Sequence, residues 1–475
     1  MLKFTENRSF RQSLAVLLAA ALITACSERR GGTDPRGEVR DLTSAHTRVV
    51  WVQQDGKDPE AVGDGLILMG FDSDDGRGER VILGERGTYV KPLITPRGDR
   101  IIYSTRPKPG PAEVFAVNWD GTGLRKLGEG FALGLWRSPD DGREWVFAGT
   151  EISNWEFSTI WRFPIDAPEA RELAWNSAPV SIDNFQVSAD GRFAGGMFPW
   201  PEAAVANLHD KTLKKLGQGC WPALTTARGL LYWYFDGAHR NLTMVDVETG
   251  GRWIVNVNNA PGFDGAEANH PRWTNHPRFM TLSGPYNLGG PNQARAGGPQ
   301  TEIWIGRFGD DFAHIEGWAR VTTNGGGDSL PDAWIDLDET PHPTRPPGAI
   351  GPPHVRASRQ QQPNASAGRL VVNARLLRGA TIPEPKSILP YRNALIVNEY
   401  EVMDLVEGAY TAKEIRVAHW GIRDGKVVPE AERRPGAAFT FVVERHDAHG
   451  ELEGERVVSA SEASELPLYY EISGF

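Results

Sequence analysis

Cysteine is almost missing from this chain. Only Cys26 and Cys220 occur among 475 residues. A disulfide framework is therefore excluded, and stability must come from burial and from closure of the fold on itself. Cys220 reads as a small buried apolar residue, not a nucleophile. Long apolar runs are lacking too. Leu14 to Ile23 is apolar but too short to cross a bilayer as a stable anchor. Long helical periodicity is absent, and so is a nucleophile elbow: neither Ser283-Gly284-Pro285 nor Ser188-Ala189-Asp190 has that context. Positive charge is in deficit. The 51 Lys and Arg against 61 Asp and Glu give a net charge of −10, which argues against a nucleic-acid partner.

What the chain has instead is glycine, proline, aromatics and one recurring phrase. It is clearest as Trp136-Arg137-Ser138-Pro139-Asp140-Asp141-Gly142, followed by Arg143-Glu144-Trp145-Val146-Phe147-Ala148-Gly149. An apolar approach enters a tight polar turn, and an alternating strand leaves it. Pro presets φ, Asp supplies a side-chain acceptor and Gly tolerates positive φ. Weaker copies run from Ile94, Val187, Leu224 and Trp273. The interval is roughly 40 to 50 residues, as expected for propeller blades. Each copy leads into short alternating strands that cannot bury both faces alone and must stack radially. Six such units can be counted between Thr47 and Val321. Residues 329 to 336 read as one more inner strand with no blade after it, and blade one lacks an inner strand of its own. That extra strand is expected to complete blade one and close the ring.

On these repeats, residues 48 to 336 resemble the six-bladed propeller of the TolB family. The resemblance implies the fold and leaves the function open. Two further domains follow from composition. Residues 338–366 contain seven prolines and Gln360-Gln361-Gln362, and are expected to be a linker. Residues 367–475 carry five strand candidates (369–376, 394–405, 414–420, 438–445 and 456–459) and are expected to form a small β-barrel or sandwich. Ala394 to Val402 with Leu405 to Gly408 and Lys413 to Val417 resembles small OB-like barrels of bacterial envelope proteins. The fold class is all-β.

The N-terminus reads as a targeting segment. Lys3, Arg8 and Arg11 precede the apolar run, which ends in Leu22-Ile23-Thr24-Ala25-Cys26 and resembles a bacterial lipobox. The resemblance implies cleavage after residue 25 and lipid attachment at Cys26. Ser27 in the next position suggests the outer membrane. Three basic residues and Glu6 leave with the leader, so the remaining chain is near −12. Residues 26–46 are polar and are expected to be a flexible tether, with 47–337 as the propeller.

The loops at the face where inner strands begin are rich in aromatics and amides. They point to Trp155, Trp200, Asp236, His239, Arg240, His270, Tyr286, Asn287 and Arg295 as ligand-binding residues. Flat rings beside polar groups suit sugar rings or peptide segments. In the oligogalacturonate lyases, a related propeller family, histidines from different blades hold a divalent metal. By that analogy His239 and His270 are the weak metal candidates. His276 stands at a turn position and is expected near the opposite face. No catalytic residue and no cofactor is expected. The expected role is a monomeric, lipid-anchored protein of the cell envelope, facing the periplasm or the cell surface. Its propeller would bind an envelope protein or polysaccharide. The alternative is a metal-dependent, lyase-like polysaccharide enzyme using the same face.

Overall fold

The structure is a computed structural model. It describes residues 35–55, 58, 61–106, 110–153, 155–226, 229–236, 239–258, 260–263, 267–286, 300–338, 369–388, 391, 393–423, 425–449, 452, 455–460 and 466–472. Cys26, Asn287, Arg295 and most of the expected linker lie outside the described residues.

Six antiparallel sheets form a propeller. Blade two shows the pattern, with strands Val90–Ile94, Arg100–Thr105, Glu113–Asn118 and Arg125–Glu129 running from axis to rim. Blades three to six begin with inner strands Phe131–Arg137, Gln186–Val187, Cys220–Leu224 and Glu267–Trp273. Blade one closes the ring as the sequence suggests. Gly327–Ile335 pairs antiparallel with Thr47–Gln54, matching Arg48 to Trp334 and Val50 to Asp332. The buried Trp51 indole N–H donates to Asp328 Oδ1 at 2.8 Å across that seam. The apolar face of each inner strand supplies the inter-blade core. Trp233 and Trp273 of blades five and six stack with ring centres 4.0 Å apart.

The recurring phrase works between blades as well as within them. Trp136 lies under the turn of blade four, where it donates to Ala189 O at 3.1 Å. A Cβ added to Gly191, whose φ is +74°, would sit 2.5 Å from that indole. Trp334 repeats the arrangement on the turn of blade two. It donates to Pro96 O at 3.1 Å, and Gly98 (φ +78°) would meet it at 2.5 Å. Glycine is needed there twice over, for its φ and for its missing Cβ.

Residues 35–46 depart from the expected tether. Pro35–Thr43 is an α-helix with Val39 and Thr43 buried. Val39 joins the cluster formed by Trp51, Phe279, Ile305 and Ala319 at the seam of blades six and one. Arg307 of blade six donates to Leu42 O at 3.0 Å. The helix covers the end of the ring where inner strands finish, since Asp336 N–H donates to His46 O there.

The C-terminal domain is a closed barrel of five strands: Leu370–Arg378, Ala394–Glu407, Glu414–Arg423, Ala438–Arg445 and Leu468–Glu471. Taken in chain order, the wall runs first-second-third-fifth-fourth and back to the first, with the third and fifth parallel. That is the OB arrangement. One expected strand is placed differently. Arg456–Ser459 lies outside the wall, parallel to Ala394–Val397, and Leu468–Glu471 closes the barrel instead. Its Leu-Tyr-Tyr-Glu sequence is too short to advertise a strand.

Gly191→Ala should destabilise the protein by about 1–3 kcal/mol, because the new Cβ meets both an unfavourable φ and the Trp136 ring. Urea unfolding of the variant beside wild type checks this, and an unchanged midpoint would remove the inter-blade role of the turn glycine.

Candidate functional site

The inner strands carry a second repeat, at their starting ends. Lys91-Pro92, Trp221-Pro222, His270-Pro271 and Leu330-Pro331 each interrupt the pairing with the neighbouring strand. Proline has no N–H for the ladder, so the strand bulges around it. The residue before each proline takes a left-handed conformation, with φ of 49°, 44°, 52° and 56°. These four residues, with Asn184 and Arg272, surround a void of about 10 Å³ on the propeller axis. That is room for about one water molecule.

The axis is filled by bonded polar groups. Arg272 Nε lies 2.8 Å from Asp332 Oδ1, both nearly buried, and Arg272 Nη1 donates to Asn184 Oδ1 at 3.1 Å. Asp332 Oδ2 accepts the Ile94 N–H at 2.8 Å. Asn184 and Gln186 side chains donate to Pro271 O and Trp273 O, each at 2.9 Å. Lys91 donates to Ile182 O at 2.7 Å and to Asp183 O. Burial drives the Lys91 amine well below its usual range, and Arg272 nearby adds to this. Blades one, two, four and six are thereby tied across the axis.

The expected ligand residues separate into two groups. Asp236, His239 and His270 belong to the wall. Asp236 accepts the Arg240 and Asn241 N–H groups at 2.9 and 3.2 Å and the Asn241 amide at 2.8 Å. It closes its own loop, although burial pushes the carboxyl up to about 6. Arg240, half-buried, stands by that carboxylate. His239 is 6% exposed and stacks on Phe235 with ring centres 5.0 Å apart. His270 is 7% exposed, edge-on to Trp221, with Nδ1 2.8 Å from Ser283 Oγ. Burial lowers the two imidazoles to about 4 and about 3. His276 is buried too, its Nδ1 accepting the Arg278 N–H at 3.2 Å.

The other residues are placed differently. Trp200 is 41% exposed. Trp155 is half-buried, packs tilted against Phe131 at 5.3 Å and carries the Arg106 guanidinium 4.5 Å above its ring. Tyr286 ends the second strand of blade six. Phe131, Arg106, Thr150, Trp161 and Arg171 line an open cleft of about 550 Å³ between blades two and three.

Lys91, Asn184, Arg272 and Asp332 form the axial network and do not stand out in the sequence. One signal for them is there. Lys91-Pro92, Trp221-Pro222 and His270-Pro271 stand the same distance ahead of Thr95, Thr225 and Thr274, each of which opens a turn.

The fit to a divalent metal is poor. Among the described residues no group of three or more His, Cys, Asp and Glu side chains converges on one point. No third donor joins His239 and His270 among the described residues, so the two do not amount to a ligand set. Burial pushes the Cys220 thiol up to about 12, which suppresses its thiolate.

The barrel has its own buried network. His419 Nδ1 bonds Glu471, and its Nε2 lies 2.8 Å from Tyr400 OH and 3.1 Å from Arg433. Arg433 completes the circuit to Glu471 at 2.8 Å. It is sealed among Phe439 and Phe441 and reads as a core lock.

Two outcomes follow. Asp332→Ala strands a buried Arg272 and should cost about 3–5 kcal/mol, with part restored in the Asp332→Ala, Arg272→Met double variant. Equilibrium unfolding of the four proteins measures the coupling, and additive losses would dissolve the tie. His270 takes a proton near 6.5 when unfolded but only near 3 when folded. Its contribution to stability is full above pH 6.5 and is lost as pH falls toward 3. His270→Phe should therefore show a shallower acid loss than wild type over that window, measured as midpoints at several pH values.

No protein-family model matches the sequence, and no curated protein matches it. Among solved structures, TolB from Acinetobacter baumannii is 14% identical, with 70% of this chain covering 74% of that one at a TM-score of 0.42. A putative TolB from Agrobacterium tumefaciens is 12% identical over 60% of this chain and 91% of its own, with a TM-score of 0.27. An oligogalacturonate lyase in complex with manganese is 16% identical, covering 36% of this chain and 50% of its own, with a TM-score of 0.28. Half the length of that lyase is spanned, and these likenesses concern the propeller fold only. By its own strand order, with one terminal strand closing blade one, the protein carries a TolB-like six-bladed β-propeller.

Proposed function

We propose that this protein is a binding protein of the cell envelope, anchored through a lipid on Cys26, whose propeller holds a protein or polysaccharide partner at its loop side. One observation carries the reading. The axis is closed by cross-bonded side chains, whereas an open cleft of about 550 Å³, lined by Phe131, Trp161, Arg106 and Arg171, lies between blades two and three. A rigid ring with a closed centre and an open rim is suited to holding a partner. No helix among the described residues is long and apolar enough to cross a membrane, and an anchor at Cys26 supplies the attachment in this reading.

The experiment has two parts. Cells labelled with radioactive palmitate should label wild type and not Cys26→Ala. Cross-linking in intact envelopes should give a discrete adduct that weakens by about tenfold in Trp200→Ala, an exposed change, with the unfolding midpoint unchanged. Release of unsaturated, ultraviolet-absorbing fragments from a polyuronate would favour the lyase-like alternative and end the binding reading.

A further inference from the structure

The cleft between blades two and three has a chemistry of its own. Two arginines line it, and each is braced by an indole. Arg106 lies 4.5 Å above Trp155, and Arg171 lies 5.4 Å above Trp161. A guanidinium whose face rests on an aromatic ring keeps its in-plane N–H groups directed outward, the geometry that grips a carboxylate with two parallel bonds. Arg171 is exposed and makes no ion pair among the described residues. Among the described lining residues Glu129 is the one acid against Arg106 and Arg171, so this lining is net positive on a chain of net charge −10.

The backbone beside the cleft is also open. Arg125–Glu129 is the rim strand of blade two, paired with Glu113–Asn118 on one side, and among the described residues no strand pairs with its other side. The strand bulges at Leu127, next to Gly128, and an added Cβ on Gly128 would meet nothing within 4 Å on the sheet face. Glycine inside a strand marks a bulge or a close approach of another backbone. A free strand edge gives an extended peptide its main-chain bonds, and a sugar chain has no matching ladder.

We propose that this cleft docks an extended acidic peptide segment of a partner protein, with a carboxylate on Arg171, in the positive field that Arg106 adds, and its backbone along the edge of Arg125–Glu129. The proposal rests on the binding role above and names the partner's chemistry.

Fluorescence anisotropy tests it with the full chain and a labelled peptide of about eight residues alternating Glu and Val. A Gln/Val peptide is the neutral control. The acidic peptide should bind and the control should not. Arg171→Glu, an exposed change that leaves the core intact, should weaken binding by more than about tenfold. Raising the salt should weaken it further. No signal with the acidic peptide, or equal binding by Arg171→Glu, overturns the proposal. So does competitive displacement of the peptide by a polyuronate oligosaccharide with higher affinity. The last result would leave the binding role standing, whereas loss of the envelope adduct described above would remove that role itself.

Discussion

The structure depends on proline in a place where a sheet cannot use it. Four inner strands each lose one ladder bond at an X-Pro step, and each bulges toward the axis. A propeller with straight inner strands has a channel at its centre. Here the bulges deliver Lys91, Trp221, His270 and Leu330 into that space. The remaining polar groups must then satisfy one another, because too little water fits to do so. Arg272 meets Asp332 and Asn184, and Lys91 meets two carbonyls of blade four. Burying such charges is costly, and the cost is recovered only if every partner stays in place. The axis is therefore a cooperative element: loss of one group strands another.

The two ends of the inner strands solve different problems with the same chain. At their finishing ends, Trp136 and Trp334 each slide under the turn of the following blade, so blades are held in order pair by pair. At the axis, Asp332 joins neighbours through Arg272 and Ile94, while Asn184–Arg272 and Lys91–Ile182 ties reach across the ring. Nearest-neighbour packing sets spacing, while the transverse bonds resist opening of the ring. Its seam, where the strand from residue 327 completes blade one, is reinforced from outside by the helix Pro35–Thr43.

Legibility in the sequence follows the range of the interactions. Turns such as Ser138-Pro139-Asp140 and alternating strands are local, and so the blades and the closing strand are readable in the amino-acid order alone. The axial ties are not readable in this way. Arg272 and Asp332 lie 60 residues apart, and Lys91 bonds a carbonyl 91 residues away. The histidines stand out by their chemistry, but burial reverses their meaning: His239 and His270 are neutral wall residues. Trp155 stands out as an aromatic beside charge, and the structure places it under Arg106. Trp161, which lines the cleft, sits in mid-strand and has the sequence context of a core residue. In the barrel, Leu468–Glu471 is a strand because the third and fourth wall strands leave a vacancy between them, which no property of those four residues announces.

The packed N-terminal helix has a consequence for how the molecule stands. It lies on the end of the ring opposite the loops. From Cys26 to Pro35 the chain can reach at most about 30 Å when fully stretched. If a lipid is attached at Cys26, that reach would keep the helix end of the propeller close to its membrane, and the flank between blades two and three would be open to a partner arriving from the side.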